Sequence, residues 1–450
     1  MRLIGCLRQS RRRTRTVGIL GACVMAVIGL SACSAISSTT SSASNSGGGK
    51  GVTTVVYWNM WSGQYASLIQ KLVNQFNAAH PTIHVQMLTV PEANGDAKLL
   101  SAIAAGDPPD VFTEWNPEIG TYASTGAIQS LNKYETGQYK GLASWMYPVA
   151  AQWGTYNGQL YGLPMSMSNK ELYYNKTILK SIGVSTPPTT FAQLMSDQAR
   201  AWKISGSRVQ QIGFYPPGDS WDAFTCGFNA NSYTGGQYSL ASSAGAKAEM
   251  NFMAEFKQYS YSAVNGFTSA YGSVSGGSEN PFDMGKQAFD LNGPWVGADD
   301  IPQDDPGMQF GVVPMPTPPG GGKAGCSDVW GNYNVIPKGA KNPAAAWTFM
   351  TWMAGYHNAA WAAKTMTLGA WLPPSPQIAS QPAFTSWIAA NPYLKVFSDG
   401  MNNAGNDIVP VSPHETAYEN ALTTAVQDVE TGAKSPSQAL SYIDSQGNNS

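Results

Sequence analysis

The stretch TTVVYWNMWSGQYASLIQKLVNQFNAAHPTIHVQ, residues 53–86, holds a strand, a helix and the start of a second strand, and the fold is read from how that pattern continues. Val52 to Trp58 is a β-branched run. From Ser62 the apolar residues Leu68, Leu72 and Phe76, with Ile69 and Val73, recur at i, i+4 spacing and predict one buried helix face. Ser62 suits an N-cap and Pro81 a stop. A second strand is expected at Ile83 to Leu88 and a helix through Leu99, Leu100 and Ile103, ending at Gly106-Asp107-Pro108-Pro109. A third short strand is expected at Asp110 to Phe112. Strand, helix, strand, helix, strand predicts a parallel sheet, and ligands of such sheets gather at the carboxyl ends of the strands. That rule draws attention to Trp58 to Trp61 and to Glu114-Trp115-Asn116, all at one rim.

Upstream, Arg2, Arg8, Arg11, Arg12, Arg13 and Arg15 precede an apolar run from Val17 to Leu30, which suits a signal-peptide core and is short for a bilayer span. Residues 1–32 are expected to be a signal peptide. Leu30-Ser31-Ala32-Cys33 resembles the lipobox of bacterial lipoproteins, in which the cysteine thiol takes a diacylglyceryl group and becomes the mature N-terminus; the alternative is an ordinary secretory signal with an incidental cysteine. Ser10-Arg11-Arg12 fits a twin-arginine signal poorly, because Thr14 and Arg15 stand where that pattern wants an apolar residue. From residue 33 to 51 the chain is almost wholly Ser, Thr, Ala, Asn and Gly, a composition for a flexible tether reaching roughly 20–25 Å. The expected location is the outer face of the cytoplasmic membrane, held there by the lipid on Cys33.

Loss of the signal would lower the basic count from 26 to 20 against 28 acidic residues, a balance that disfavours nucleic acid as a partner. Charged residues are 12% of the chain, about half the usual share. Ser, Thr, Asn, Gln and Gly carry the polarity instead, and aromatics are 11% of the chain, with 14 tryptophans. Such a surface suits a neutral polyhydroxylated ligand, since sugar C–H faces pack on rings and hydroxyls need donors and acceptors. A low-charge exported surface with tryptophan in the core accounts for the composition equally well. Cys226 and Cys326 are the cysteines left beyond Cys33, and the sequence leaves open whether they pair.

Motifs for catalysis are sparse. His80, His84, His357 and His414 form no zinc-binding pattern, and no Gly-x-Ser-x-Gly elbow occurs. Gly320-x-Gly322-x-x-Gly325 follows Pro318-Pro319 and reads as a loop rather than a dinucleotide site. Asp299-Asp300 and Asp304-Asp305 read as a solvated loop, a glycosidase pair being the alternative. No catalytic residue, metal or cofactor is therefore expected.

Five segments carry a family resemblance. The opening at 53–86 and LLSAIAAGDPPDVFTEW at 99–115 resemble the start of the family 1 extracellular solute-binding proteins, the maltose-binding-like carbohydrate receptors of bacterial ABC importers. QLYGLPMSMSNKELYYNKTILKSIGV at 159–184, PFDMGKQAFDLNGPW at 281–295, and 310–355 resemble later blocks in the family's order, with Glu171 where the family usually has a small residue. The resemblance implies an α/β fold of two lobes joined by a hinge of several chain crossings over a ligand cleft. The first lobe is expected at 52–166 with 286–334 and the second at 167–285 with 335–450, with hinge candidates near Ser166 and Asn334. It implies a monomeric receptor, not an enzyme, that delivers a sugar or oligosaccharide to the transmembrane permease of an ABC importer. The rivals are an exported glycoside hydrolase and a receptor of the same fold for a non-sugar solute such as a polyol phosphate or peptide.

Candidate ligand contacts are the tryptophans at strand ends or in loops, Trp58, Trp61, Trp115, Trp221, Trp295, Trp330 and Trp371, with Trp295 and Trp330 foremost. Glu114, Asn116, Asp222, Asn292 and Asn332 are the candidate hydroxyl partners; each could equally cap a helix or bond a turn. Trp347 and Trp352 are assigned to the core.

Overall fold

The computed structural model describes residues 51–91, 94–115, 118–216, 221–231, 233–271, 280–319, 325–326, 328–403 and 411–449. The signal segment, Cys33, most of the tether, Asn116 and the glycine motif from 320 lie outside this set, apart from Gly51 and Gly325. The first elements fall where periodicity puts them: β1 (Thr53–Asn59), α1 (Gly63–Ala79), β2 (Ile83–Thr89), α2 (Gly95–Ala104), β3 (Val111–Trp115) and α3 (Glu118–Thr125). Helix α1 buries Ile69, Leu72, Val73 and Phe76, the i, i+3, i+4, i+7 stripe of a helix packed on a sheet. Ser62 occupies the N-cap, though its side chain makes no capping bond, and the helix stops at His80, immediately before Pro81.

Further along lie β4 (Gly162–Asn169), β5 (Glu171–Asn175), α4 (Trp221–Phe228), α5 (Ala244–Ala254), β6 (Phe289–Asn292), β7 (Phe310–Val313), β8 (Val329–Val335), α6 (Pro343–Ala354), α7 (Glu415–Thr431) and α8 (Pro436–Asn449). Two principal sheets result. The first has the order β2-β1-β3-β8-β4, with β1 parallel to β2 and β3 and with β8 antiparallel to both neighbours. The second is β6-β5-β7, antiparallel throughout. Among the described residues no helix is long and apolar enough to cross a membrane.

Strand pairing divides the chain differently from the expected lobes. Residues 286–334 were expected wholly with the first lobe, yet β6 and β7 flank β5 in the second sheet, and only β8 returns to the first. Helix α6 was expected with the second lobe, yet it packs on α1, β1 and β4 of the first. The reason is burial. Trp347, Phe349, Met350 and Met353 need a cover, and the Tyr57 and Phe76 rings meet Phe349 edge-on at 5.1 Å. Asp110 fixes the join, accepting from the backbone N–H of Val56 at 3.0 Å and of Asn342 at 2.6 Å, just ahead of α6. Helices α7 and α8 pack on α5. Ser166 and Asn334, the hinge candidates, are buried inside β4 and β8; the chain leaves the first sheet for the second at Asn169-Lys170-Glu171 and returns between β7 and β8.

Cys226 of α4 and Cys326 are disulfide-bonded, with Cα atoms 5.7 Å apart and a separation of 100 positions in sequence. Cross-linking so long a loop removes much freedom from the unfolded chain, about 4–5 kcal/mol on the chain-entropy account. The double substitution Cys226→Ala/Cys326→Ala is expected to lower the melting temperature by roughly 5–10 °C. A calorimetric scan of the two proteins checks this, and unchanged melting would show the bridge to be energetically idle.

Carboxylates are also held inside the fold. Burial, with Asp290, Asp300 and Asp304 adding repulsion, pushes the Asp283 carboxyl up to about 9. Burial and the neighbouring Asp299 and Asp304 push Asp300 up to about 7, and burial pushes Glu430 of α7 up to about 7. Unfolded carboxyls titrate near 4, so the folded state holds these protons more tightly. The associated stability is complete at acidic pH and is lost as pH rises through the folded values. Melting temperature is expected to fall between about pH 5 and pH 9.5. Asp283→Asn should raise it at the alkaline end and leave it near the parent's at pH 5; a parallel shift at both ends would refute the assignment.

Candidate functional site

The passage from β4 to β5 brings the rims of the two sheets together. Trp330 of β8 stands opposite Ser168 of β4, and Asn292 of β6 stands opposite Glu171 of β5, so only the Asn169-Lys170-Glu171 turn separates the two neighbourhoods. On the first-sheet side, Asn332 lies opposite Trp115, which sets the start of β8 beside the carboxyl end of β3. On the second-sheet side, Asn292-Gly293-Pro294 leads into Trp295 and a π-helical turn, Val296–Asp300.

Two aromatic groups line this region. In one, the half-buried Trp61 meets Trp115 edge-on at 5.6 Å and Tyr65 at 5.4 Å, and Tyr65 in turn stacks on Trp371 at 6.1 Å. In the other, Trp295 meets Trp330 edge-on at 6.1 Å, and the Lys170 ammonium lies 5.5 Å from the Trp330 ring centre. Gly293 is required here: a Cβ on it would stand 2.1 Å from the Trp295 ring, so its hydrogen is what lets the indole lie over the backbone.

The predicted polar partners mostly serve the fold. Asn292 donates to Asp290 at 3.1 Å and accepts from the backbone of Gly293 at 2.9 Å, shaping the turn before Trp295. Asn332, buried in β8, accepts from Ser166 at 3.0 Å. Glu114 points to the opposite face of its strand from Trp115. There burial, reinforced by Glu118 and Asp96, raises its carboxyl well above the usual range, and it accepts from the Trp115 N–H at 2.8 Å. Tyr122 donates to Asp96 at 2.5 Å in the same cluster. Trp58 shares that face, paired with Phe112, buried, and covered by Lys98 at 4.8 Å. Strand alternation thus puts Trp58 and Glu114 on the face opposite Trp115, whose ring meets Trp61, a two-residue period that the rim argument overlooked. Trp371 is 5% exposed, its ring stacked on Tyr65. Trp221 and Asp222 fall in the first turn of α4, their side chains outside the described set, and Asn116 lies outside it altogether.

The acidic segment needs correction. Asp299 and Asp300 sit in the π-helical turn rather than a solvated loop, Asp300 is buried, and Asp299 accepts from the Tyr65 hydroxyl at 3.2 Å. Burial raises both the Asp299 carboxyl and the Tyr65 hydroxyl above their ordinary ranges. Two residues of the region escaped sequence reasoning, Tyr65 and Lys170, while Asp299 was read only as solvated loop or half of a glycosidase pair. Tyr65 alone left a signal, being one helical turn beyond Trp61. Glu171, the departure from the family pattern, is buried and accepts from the Met315 N–H at 3.2 Å, which anchors the chain leaving β7. Among the described residues no group of three or more His, Cys, Asp or Glu side chains is arranged to hold a metal ion.

Comparison with known proteins places this architecture. The structure of CpMnBP1 with mannotriose bound superposes with a TM-score of 0.76 at 26% identity, covering 88% of this chain and 100% of that one. The GacH receptor of Streptomyces glaucescens GLA.O, at 21% identity and a TM-score of 0.71, covers 88% of this chain and 97% of its own and shares the two-lobed fold. The maltotriose-binding protein of Pyrococcus abyssi is 25% identical over 308 residues, 66% of this chain and 62% of its own, so the match spans less than two thirds of that relative. Residues 61–360, two thirds of the 450-residue chain, match the profile of the bacterial extracellular solute-binding proteins, and the chain belongs to that family.

Proposed function

We propose that the protein is an extracytoplasmic receptor that captures a neutral sugar or oligosaccharide between its lobes and presents it to an ABC import permease. The observation that carries the reading is the pair of aromatic groups, Trp61/Trp115/Tyr65 and Trp295/Trp330, set at the meeting rims of the two sheets. Half-buried indoles supply flat apolar faces for sugar rings, and closure of the lobes would bring both groups to one ligand. Mannotriose, maltotriose and acarbose are named with the relatives, which are binding proteins rather than enzymes.

Charge supports a neutral solute. The two arginines beyond the signal are peripheral: Arg200 is half-exposed and paired with Asp197, and Arg208 is exposed on a short strand. Neither guanidinium stands among the aromatic groups, where Lys170 supplies a single ammonium over Trp330, so an anion would lack a bidentate clamp there. This disfavours a polyol phosphate, although a sn-glycerol-3-phosphate-binding protein of Shigella dysenteriae is 28% identical over 174 residues.

The lobe boundaries we propose follow the sheets: 52–169 with β8 and α6 in the first lobe, and 170–313 with α7 and α8 in the second. The same reading holds that the protein works as a monomer, exported and tethered by a lipid on Cys33.

The receptor reading is tested by thermal shift against a panel containing mannobiose, mannotriose and maltotriose, where a ligand at 100 times its dissociation constant stabilises by about 2.7 kcal/mol. With the sugar so identified, Trp295→Ala is expected to weaken binding by roughly 1–3 kcal/mol in titration calorimetry while melting changes little. Unchanged affinity together with a large melting drop would make Trp295 a core residue. For the anchor, Cys33→Ser is expected to release the protein from membranes or to leave it unprocessed. A variant that fractionates and migrates like the parent would refute lipidation.

A further inference from the structure

We propose that Tyr65 and Asp299 form a clasp between the lobes that sets the balance between open and closed forms, and through it the affinity for the solute. The inference rests on the receptor reading above. The two residues are 234 positions apart, on a helix and a turn attached to different sheets. Tyr65 lies in the first turn of α1, which packs on β2 and α6 of the first sheet. Asp299 lies in the π-helical turn that follows β6 of the second sheet. That turn is fastened to the second sheet: the Gly297 N–H donates to the Tyr173 hydroxyl of β5 at 3.2 Å, and Gly297 packs against Tyr393 and Phe310. The Tyr65 hydroxyl donating to Asp299 Oδ2 at 3.2 Å is therefore a bond from one lobe to the other.

Both partners are held in position from behind. The Tyr65 ring is gripped between Trp61, at 5.4 Å, and Trp371, at 6.1 Å and nearly parallel, so its hydroxyl has one direction in which to point. Asp299 is aimed by the π turn, whose extra residue per turn shifts side chains relative to an α-helix and which occurs mostly at functional sites. A neutral hydroxyl donating to a carboxylate is stronger than a neutral pair, and it forms only when the lobes approach. Each ring neighbour of Tyr65 belongs to the first-sheet aromatic group, and Asp299 is four residues beyond Trp295, so the clasp lies between the two aromatic groups that would flank a sugar. Tyr65 and Asp299 act as positioning residues. They raise the share of molecules in the closed form and thereby the apparent affinity, which scales with the competent fraction.

Tyr65→Phe removes the hydroxyl alone and leaves the ring stack in place. Small-angle scattering of the solute-free full chain reads the lobe balance directly and needs no ligand. The larger radius of gyration expected for Tyr65→Phe should recur in Asp299→Ala, and the double variant should add nothing further. With mannotriose as probe, or whichever panel sugar stabilises the parent, each single variant is expected to bind about 5- to 20-fold more weakly, chiefly through faster release. Asp299→Asn, which keeps an acceptor oxygen, should recover part of the loss. Melting temperatures close to the parent's would separate the effect from damage to either core. Identical solute-free scattering for parent and Tyr65→Phe overturns the clasp, whatever the sugar panel shows. A shifted scattering profile with no response to any sugar keeps the interlobe bond and instead removes the receptor reading on which its role in affinity depends.

Discussion

A buried hydrogen-bond chain across three strands ties the fold together. The Tyr57 hydroxyl of β1 donates to Thr113 of β3 at 2.6 Å, and Thr113 donates to Asn334 of β8 at 2.7 Å, all three residues being fully buried. The matched oxygens favour β8 as the strand beside β3, although the buried Asn334 Nδ2 has no hydrogen-bond partner among the described residues. The strand they select comes from more than 200 residues later in the chain. Because β8 must return to this slot, the segment between β4 and β8 is an excursion with both ends anchored on the first sheet, and the second sheet is built within it.

The chain passes between sheets at Asn169-Lys170-Glu171, and polar side chains fix the passage. Asn169 donates to the backbone carbonyl of Phe397 at 3.0 Å, and Glu171 accepts from Met315. These bonds hold the ends of β4 and β5, with Lys170 alone between the two strands. The same turn brings the neighbours of Trp330 and of Trp295 within reach of each other. The join between the two sheets and the two aromatic groups thus share one piece of backbone.

Acidic groups mark where the fold departs from its most stable arrangement. Asp283 is buried, and its Oδ1 has no hydrogen-bond partner among the described residues. Asp290 is also raised by burial, although Asn292 and Gln287 donate to it. Local rules violated in this way concentrate at functional sites, where stability is exchanged for a surface with a particular charge. Here Asp299 stands in the turn beside the aromatic groups, its carboxyl raised by burial and accepting from the Tyr65 hydroxyl.

The sequence by itself determined the opening elements, because Ile69, Leu72, Val73 and Phe76 repeat with a period that only a helix on a sheet can bury, and because Pro81 and Pro108-Pro109 punctuate them. It also determined the family, through five ordered segments, and singled out Trp61, Trp115, Trp295 and Trp330, whose positions after strands or at strand ends are local facts. Tertiary structure decided the rest. Strand alternation sent Trp58 and Glu114 to the far face, and strand pairing moved β6 and β7 from the expected lobe to the other. Asp299, in a Gly/Pro-rich stretch that reads as solvated, was drawn into contact with Tyr65. The disulfide between Cys226 and Cys326, left open by spacing, was settled by their proximity in space. Periodicity reports which face of an element is apolar; which distant element covers that face depends on pairings across the whole chain, and no local pattern records them.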